Sequence, residues 1–276
     1  MTAVPVLETP HLRLPRLGLG TWELRGEACA SAVAGAIGLG YRHLDTAEMY
    51  GNEDAVGQGI ARGGVARRDL FLTSKVWWTN LLPDGIRRDA EASLRRLGTE
   101  YLDLYLVHWP APAMDLDAVL RAMAAVKAAG QARAVGVANF PTSLLRRALE
   151  SGMVPIACNQ VEYHVYLSQA PLLDLCRREG IALTAYTPIA KGQVTADPVM
   201  RRIAAKHGAS PIQVALAWLL AQPGVAAIPK SGRAEGQRAN LEAAALRLDA
   251  EDLAAIAALP KDRRLVNPSF APPWDR

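Results

Sequence analysis

At 276 residues, half of them hydrophobic, the chain is long enough to bury one large core, and that size suits a single α/β barrel better than two ordinary domains. Net charge is only +4, and the basic residues fall mostly in pairs at helical spacing, such as Arg87, Arg88, Arg95 and Arg96 among Asp89 and Glu91; this reads as a solvated helix face, not the basic, aromatic-rich stripe that nucleic acid needs. No apolar run approaches the ~20 residues of a membrane span, and Met1 to Pro10 lacks the basic-then-apolar layout of a signal peptide, so a soluble cytoplasmic protein is expected, with no membrane or nucleic-acid partner.

In chain order, strands are expected over Gly18 to Trp22, Tyr41 to Asp45 and Leu70 to Val76, followed by a helix over Pro83 to Leu97. The aromatic, β-branched run Tyr101 to Trp109 then leads into a helix over Leu116 to Ala129, and Ala132 to Ala138 leads into one over Thr142 to Glu150. Ala157 to Glu162 precedes a helix over Pro171 to Arg178, and Ile181 to Tyr186 and Val225 to Ile228 flank a helix over Pro211 to Ala221. Proline or a capping residue marks the helix starts, and Gly98, Gly130 and Gly180 mark several ends. Eight strands alternating with helices close a (β/α)8 TIM barrel, with an open doubly wound sheet as the competing arrangement. A last helix over Ala250 to Leu259 precedes a proline-rich tail, residues 260 to 276, expected to cross the barrel mouth.

Side chains at the C-terminal ends of barrel strands converge on one mouth. Four polar residues stand there: Asp45 ending YRHLD, Tyr50 one short loop later, Lys75 ending FLTSK, and His108 ending YLDLYLVH. Carbonyl reduction by hydride needs a proton donor at the oxygen. A phenol, with an ordinary pKa near 10, is a sluggish acid near neutrality; a cation such as Lys75 a few ångströms away is expected to lower it. Asp45 is expected to keep that lysine charged, and His108 to orient the carbonyl and assist proton delivery. Taken singly, each residue also fits a structural part: a buried ion pair, a core histidine, a helix-start aromatic.

Other chemistries find little footing. Cys29, Cys158 and Cys176 are odd in number and far apart, and the five histidines have no ligand spacing, so no metal is expected. Gly18 and Gly20 form an incomplete dinucleotide fingerprint, Tyr186 and Lys191 are one residue too far apart for Y-x-x-x-K, and no G-x-S-x-G occurs.

Over nearly its whole length the sequence resembles the aldo-keto reductase family. GYRHLDTAEMYGNE (Gly40 to Glu53) is similar to the family's aspartate and tyrosine segment, TSKVW (Thr73 to Trp77) to its lysine segment and LVHWP (Leu106 to Pro110) to its histidine segment. The resemblance implies a (β/α)8 barrel, a catalytic tetrad of Asp45, Tyr50, Lys75 and His108, and a nicotinamide dinucleotide bound without a Rossmann domain. GVANF (Gly136 to Phe140) resembles a carboxamide-binding motif in which Asn139 is kept and Ala138 replaces a serine; Gln160 resembles the carboxamide-binding glutamine, and Tyr186 the tyrosine stacked under the nicotinamide. Thr21, Trp22 and Asp45 are implied to border the cofactor as well.

IPKSGRAEGQRAN (Ile228 to Asn240) resembles the 2′-phosphate and adenine segment, which implies Lys230, Ser231 and Arg233 on the phosphate and Asn240 on the adenine. Gly236 stands where many members carry an arginine and Ala239 where they carry a glutamate, so NADPH is the expected cofactor with NADH use left open. Trp22, Tyr50, Trp77, His108, Trp109 and, from the tail, Trp274 are implied to wall the substrate pocket. The short N-terminus, the abbreviated loop after Trp109 and the ending DRRLVNPSFAPPWD most resemble the bacterial 2,5-diketo-D-gluconic acid reductases of the B type, which implies reduction of small polar aldehydes and ketones, methylglyoxal-like dicarbonyls included, by a monomer. The alternative is a sensor subunit that binds the nicotinamide cofactor and turns over little.

Overall fold

The computed structural model describes residues 4–275. It opens on an antiparallel hairpin, β1 (Val6–Thr9) and β2 (Leu12–Pro15), in register from Val6↔Pro15 to Thr9↔Leu12. The barrel follows as β3 (Leu19–Gly20), α1 (Gly26–Leu39), β4 (His43–Asp45), a 3-10 turn Glu48–Tyr50, α2 (Glu53–Arg62), β5 (Phe71–Val76) and α3 (Pro83–Leu97). Next come β6 (Leu102–Val107), α4 (Leu116–Ala128), β7 (Ala132–Ala138), α5 (Thr142–Glu150), β8 (Ile156–Glu162), α6 (Ala170–Arg178) and β9 (Ala182–Tyr186). The chain then runs through α7 (Pro198–Lys206), α8 (Pro211–Ala221), β10 (Val225–Ala227), α9 (Ala234–Glu242) and α10 (Ala250–Ala257).

Strands β3 to β10 lie side by side in sequence order and all parallel, which rules out the doubly wound alternative, whose strand order reverses. A parallel bridge between Leu17 and Ala227 joins the two ends of the sheet, with Gly18 N–H donating to Ala227 O at 2.9 Å and Ala227 N–H to Arg16 O at 2.8 Å. The sheet is therefore a single closed (β/α)8 barrel. Because side chains alternate along a strand, Leu104, Leu106, Ala134, Cys158, Ala182 and Ala226 point inward, while Tyr105, Val107, Val135, Val137 and Leu183 pack under the helices. Leu12 and Leu14 of the hairpin join the inward cluster and stop the end of the barrel where the strands begin.

Three helices start and stop where the sequence pattern places them, over Pro83–Leu97, Thr142–Glu150 and Pro211–Ala221. The expected first strand shrinks to Leu19–Gly20, because the backbone on either side of this pair is occupied by the closing seam. Arg96 leaves the expected solvated face: its guanidinium reaches the buried Glu53 carboxylate at 2.6 Å, since α3 packs against α2 there. The hairpin lies outside the eight expected strands, and its short, half-exposed strands carry too weak an alternation to stand out.

At the seam, a Cβ placed on Gly20 would lie 2.6 Å from the Ile228 carbonyl oxygen, a backbone atom with little room to yield. Gly20→Ala is therefore expected to lower folding stability by about 1–3 kcal/mol, the range for forced overpacking. A shift of the urea midpoint measures it, and an unchanged midpoint would show that the seam relaxes freely.

Candidate active site

Asp45 ends β4 and pairs in register with Thr73 on β5, so Lys75, two residues further along, presents its side chain to the same interior face. His108 immediately follows β6, whose last residue pairs with Val76. Three neighbouring strands thus deliver a carboxylate, an ammonium and an imidazole to one mouth. Lys75 Nζ donates to Asp45 Oδ1 at 2.5 Å, to the Thr46 carbonyl at 2.8 Å and to Tyr50 Oη at 3.4 Å. Gln160 Nε2 donates to the other Asp45 oxygen at 2.7 Å, so both carboxylate oxygens are engaged. Lys75 and Asp45 are 0% and 1% exposed, and a pair so buried persists only with this full set of partners.

Tyr50 reaches the pair from the 3-10 turn. Gly51, at φ +61, ends that turn in the left-handed region, where a side chain would be strained, and Arg25 donates to the Tyr50 carbonyl. Asn52 accepts from Thr46 Oγ1 at 2.8 Å and donates to the Thr21 and Leu24 carbonyls at 2.9 and 3.0 Å, while Thr21 Oγ1 donates to the Asp45 carbonyl at 3.0 Å. The Tyr50 ring lies 5.5 Å from His108 and 4.8 Å from Trp22, centroid to centroid.

Electrostatics follow from this packing. Burial pulls down the Lys75 ammonium, yet Asp45 and Tyr50 outweigh it and the group is held above its ordinary value, so it stays charged. For Tyr50, burial raises the phenol and outweighs the lowering by Lys75 that was expected, leaving it above its ordinary range. It is therefore a fully protonated donor at neutral pH. Burial, assisted by Lys75, pushes His108 well below its usual range, so the imidazole is neutral.

The aromatic residues gather around the same mouth. The Trp77 ring stands 5.1 Å from His108, and the Trp77 backbone N–H donates to Glu48 at 3.1 Å; Glu48 also accepts from Asn80 Nδ2 at 3.0 Å. Phe270, absent from the expected site, packs against Trp77, Trp78 and Trp109 at 5.6, 4.9 and 5.6 Å, and Trp274 against Trp109 at 5.9 Å. Trp22 remains 42% exposed at the open side. An aromatic in a proline-rich tail was the available signal for Phe270; nothing local marks Glu48, Thr46 or Asn52.

The residues expected to hold a dinucleotide lie along the same face. Asn139, with a left-handed φ of +62, donates through Nδ2 to the His108 carbonyl at 2.9 Å and accepts from Tyr186 Oη at 2.7 Å. Ala138 is buried just before it. Beyond the seam, Gly20 N–H donates to Pro229 O at 3.2 Å, and Lys230 Nζ sits 3.7 Å from the Glu23 carboxylate, which ties the 228–233 segment to the Thr21–Trp22 loop. Lys230 and Arg233 are exposed beside the start of α9, and Ser231 Oγ donates to the Arg233 carbonyl at 3.0 Å. Asn240 is buried against the Tyr41 hydroxyl.

Comparison with known proteins places this arrangement. A profile of the aldo/keto reductase family matches residues 16–261. The chain belongs to the aldo/keto reductase family. It is 42% identical to methylglyoxal reductase DkgB of Salmonella typhi, over 96% of this chain and 100% of that one. It is 41% identical to an aldo-keto reductase of Mycolicibacterium smegmatis, over 91% and 92% of the two chains. A crystal structure provisionally named 2,5-diketo-D-gluconic acid reductase B superposes with a TM-score of 0.95 at 38% identity, covering 98% of this chain and 97% of that one. This aldo/keto reductase is accordingly an oxidoreductase that reduces carbonyl groups. Among the described residues, no helix is long and apolar enough to cross a membrane.

Two histidines of the barrel are buried and neutral: His108, and His43, which burial lowers from 6.5 to about 4. In the unfolded chain both take up a proton near their ordinary value, so the His43 contribution to stability is present above pH 6.5 and is lost as pH falls through about 4, with His108 acting in the same direction. Urea midpoints measured across that interval should decline with acidity, and a flat profile would contradict neutral, desolvated imidazoles.

Proposed function

We propose that this aldo/keto reductase uses NADPH to reduce small polar aldehydes and ketones, with methylglyoxal-like dicarbonyls and 2,5-diketo-D-gluconate in its substrate class, and that Tyr50 is the general acid. One observation carries the reading: the buried Lys75 ammonium lies within hydrogen-bonding reach of both Asp45 and the Tyr50 phenol. The names of its relatives supply the substrate class.

The donor set fits a nicotinamide dinucleotide. Amides at Asn139 and Gln160 and the Tyr186 ring line one side of the mouth, and the exposed cations Lys230 and Arg233, with Ser231, stand at the start of a nine-residue helix, a place suited to a phosphate. Asn240 closes the adenine end of this row, while Thr21, Trp22 and Asp45 border the nicotinamide end. Bound there, the cofactor supplies the hydride. Tyr50 gives its proton to the carbonyl oxygen, and the Lys75 charge favours the phenolate left behind. Asp45 keeps Lys75 ionised in a dry interior. The neutral His108 orients the carbonyl towards Tyr50. Trp22, Trp77, Trp109 and Trp274 wall the substrate, and the tail from Pro260 onward crosses the mouth. A single chain supplies a complete set of these groups, and a monomer working in the cytoplasm is the species proposed.

At Gly236 a Cβ would come within 2.5 Å of Ser231 Oγ, so a longer side chain there would displace the serine. The 2′-phosphate preference then rests on Lys230 and Arg233, and NADH serves as a weaker second cofactor.

Following NADPH absorbance with methylglyoxal, a nitrobenzaldehyde and a sugar ketoacid tests the reading; absence of turnover with all three would reject it. Tyr50→Phe keeps the ring and removes the proton, so kcat should fall ~10²–10⁴-fold, the usual worth of general acid catalysis, with cofactor affinity retained. Wild-type kcat in that variant would reject the assigned acid. Lys230→Ala should weaken NADPH binding by ~10–100-fold, the loss of one charge-assisted bond, and leave NADH nearly unchanged. An equal loss for both cofactors, by fluorescence titration, would remove the lysine from the phosphate.

A further inference from the structure

The C-terminal segment is tied to the barrel at two places. Its first part is stitched to the loop after β8: Lys261 Nζ donates to the Val165 carbonyl at 2.7 Å, Ser168 N–H to the Lys261 carbonyl at 2.9 Å and Arg263 N–H to the Tyr166 carbonyl at 2.9 Å. The stitching ends on Glu162, the last residue of β8, which accepts from Leu265 N–H at 2.7 Å and Val266 N–H at 2.9 Å, one through each carboxylate oxygen. At the far end Asp275 Oδ2 accepts from Thr142 N–H at 2.8 Å and Thr142 Oγ1 at 2.6 Å, where α5 begins. Between these points, among the described residues, the hydrogen bonds of 267–274 are internal, Ala271 N–H to Pro268 O and Trp274 Nε1 to Asn267 Oδ1.

Glu162 is an unusual acid to find in this place. Its side chain is fully buried, and the nearest cation, Arg264, stands off at 3.8 Å. The third donor is His164 Nε2 at 3.0 Å; its Nδ1 accepts from Tyr166 N–H at 3.3 Å, which leaves the ring proton on the side facing Glu162. A desolvated carboxylate is costly, and an apolar residue of similar size would serve a core at least as well. What this one adds is the grip on Leu265 and Val266, four residues before Phe270. Behind the tail lies a cavity of about 400 Å³, lined by Phe140, Gln169, Arg264, Asn267, Trp274 and Asp275, into which the segment has room to shift once released.

We propose that Glu162 is a positioning residue for the carbonyl substrate: by fixing Leu265 and Val266, with Asp275 holding the other end, it sets Phe270 and Trp274 against Trp77 and Trp109. The proposal rests on the reductase reading above. Glu162 touches no reacting atom, so its loss acts on substrate binding more than on the chemical step.

Glu162→Gln keeps the volume and turns one acceptor into a donor facing a backbone N–H. With methylglyoxal and NADPH, KM should rise about tenfold, the equivalent of one charge-assisted hydrogen bond, while kcat stays within about twofold and NADPH affinity is retained. Trypsin should cut faster at Arg263 and Arg264, a readout that a loss of core packing alone would not confine to the tail. Asp275→Ala, at an exposed end where it does not threaten folding, should raise KM about threefold, and it carries the test if Glu162→Gln does not fold. A KM unmoved in the variants that fold, or a fall in kcat with KM unmoved, overturns the proposal while the reductase reading stands. A wild-type enzyme that oxidises no NADPH with any carbonyl overturns both.

Discussion

The arrangement of the mouth depends on one buried charge. Lys75 has no solvent contact, and three oxygens surround its ammonium: a carboxylate, a backbone carbonyl and a phenol. Desolvation presses such a group to give up its proton, and the adjoining carboxylate is what prevents it. Replacing the pair with hydrocarbon of equal volume would not make the barrel less stable as a rule, so its presence is better explained by what a fixed charge does to the phenol beside it. The neighbouring hydrogen bonds then follow as upkeep. Gln160 occupies the second oxygen of Asp45, Thr21 holds the Asp45 backbone, and Asn52 ties the loop carrying Tyr50 to the end of β3.

The direction of the tyrosine's shift changes how this charge should be understood. A phenol pushed into the ionised form at rest would have no proton to give. Burial favours the protonated form of Tyr50, and Lys75 lowers the cost of its phenolate. Burial, assisted by the same ammonium, keeps His108 neutral, 5.5 Å from the Tyr50 ring. Environment, more than residue type, sets the protonation of these two groups.

Much of the architecture was legible in the sequence because it is written in short-range patterns. Pro83 and Gly98 bracket α3 as expected, and the short β-branched run ARAVGVA gives β7 its limits to the residue. Asp45, Lys75 and His108 were legible as strand-end polar residues, since a parallel barrel brings successive strand ends together. What escaped was whatever depends on contact between distant segments. Phe270 is separated from Trp77 by most of the chain, and Glu48 and Glu162 act through backbone N–H groups, which every residue but proline carries and no pattern marks. The balance between burial and charge at Tyr50 is of the same kind, because burial is a property of the assembled barrel. Arg96 shows the converse, a residue whose spacing reads as surface and whose partner, Glu53, lies on another helix.

The hairpin before β3 has a bearing on traffic through the molecule. With Leu12 and Leu14 seated among the inward residues that fill the barrel, its end where the strands begin is closed. Reactant, product and displaced water must all pass the same rim, and there is no rear exit through which one can leave as another enters. Product must therefore clear that rim before the next substrate takes its place.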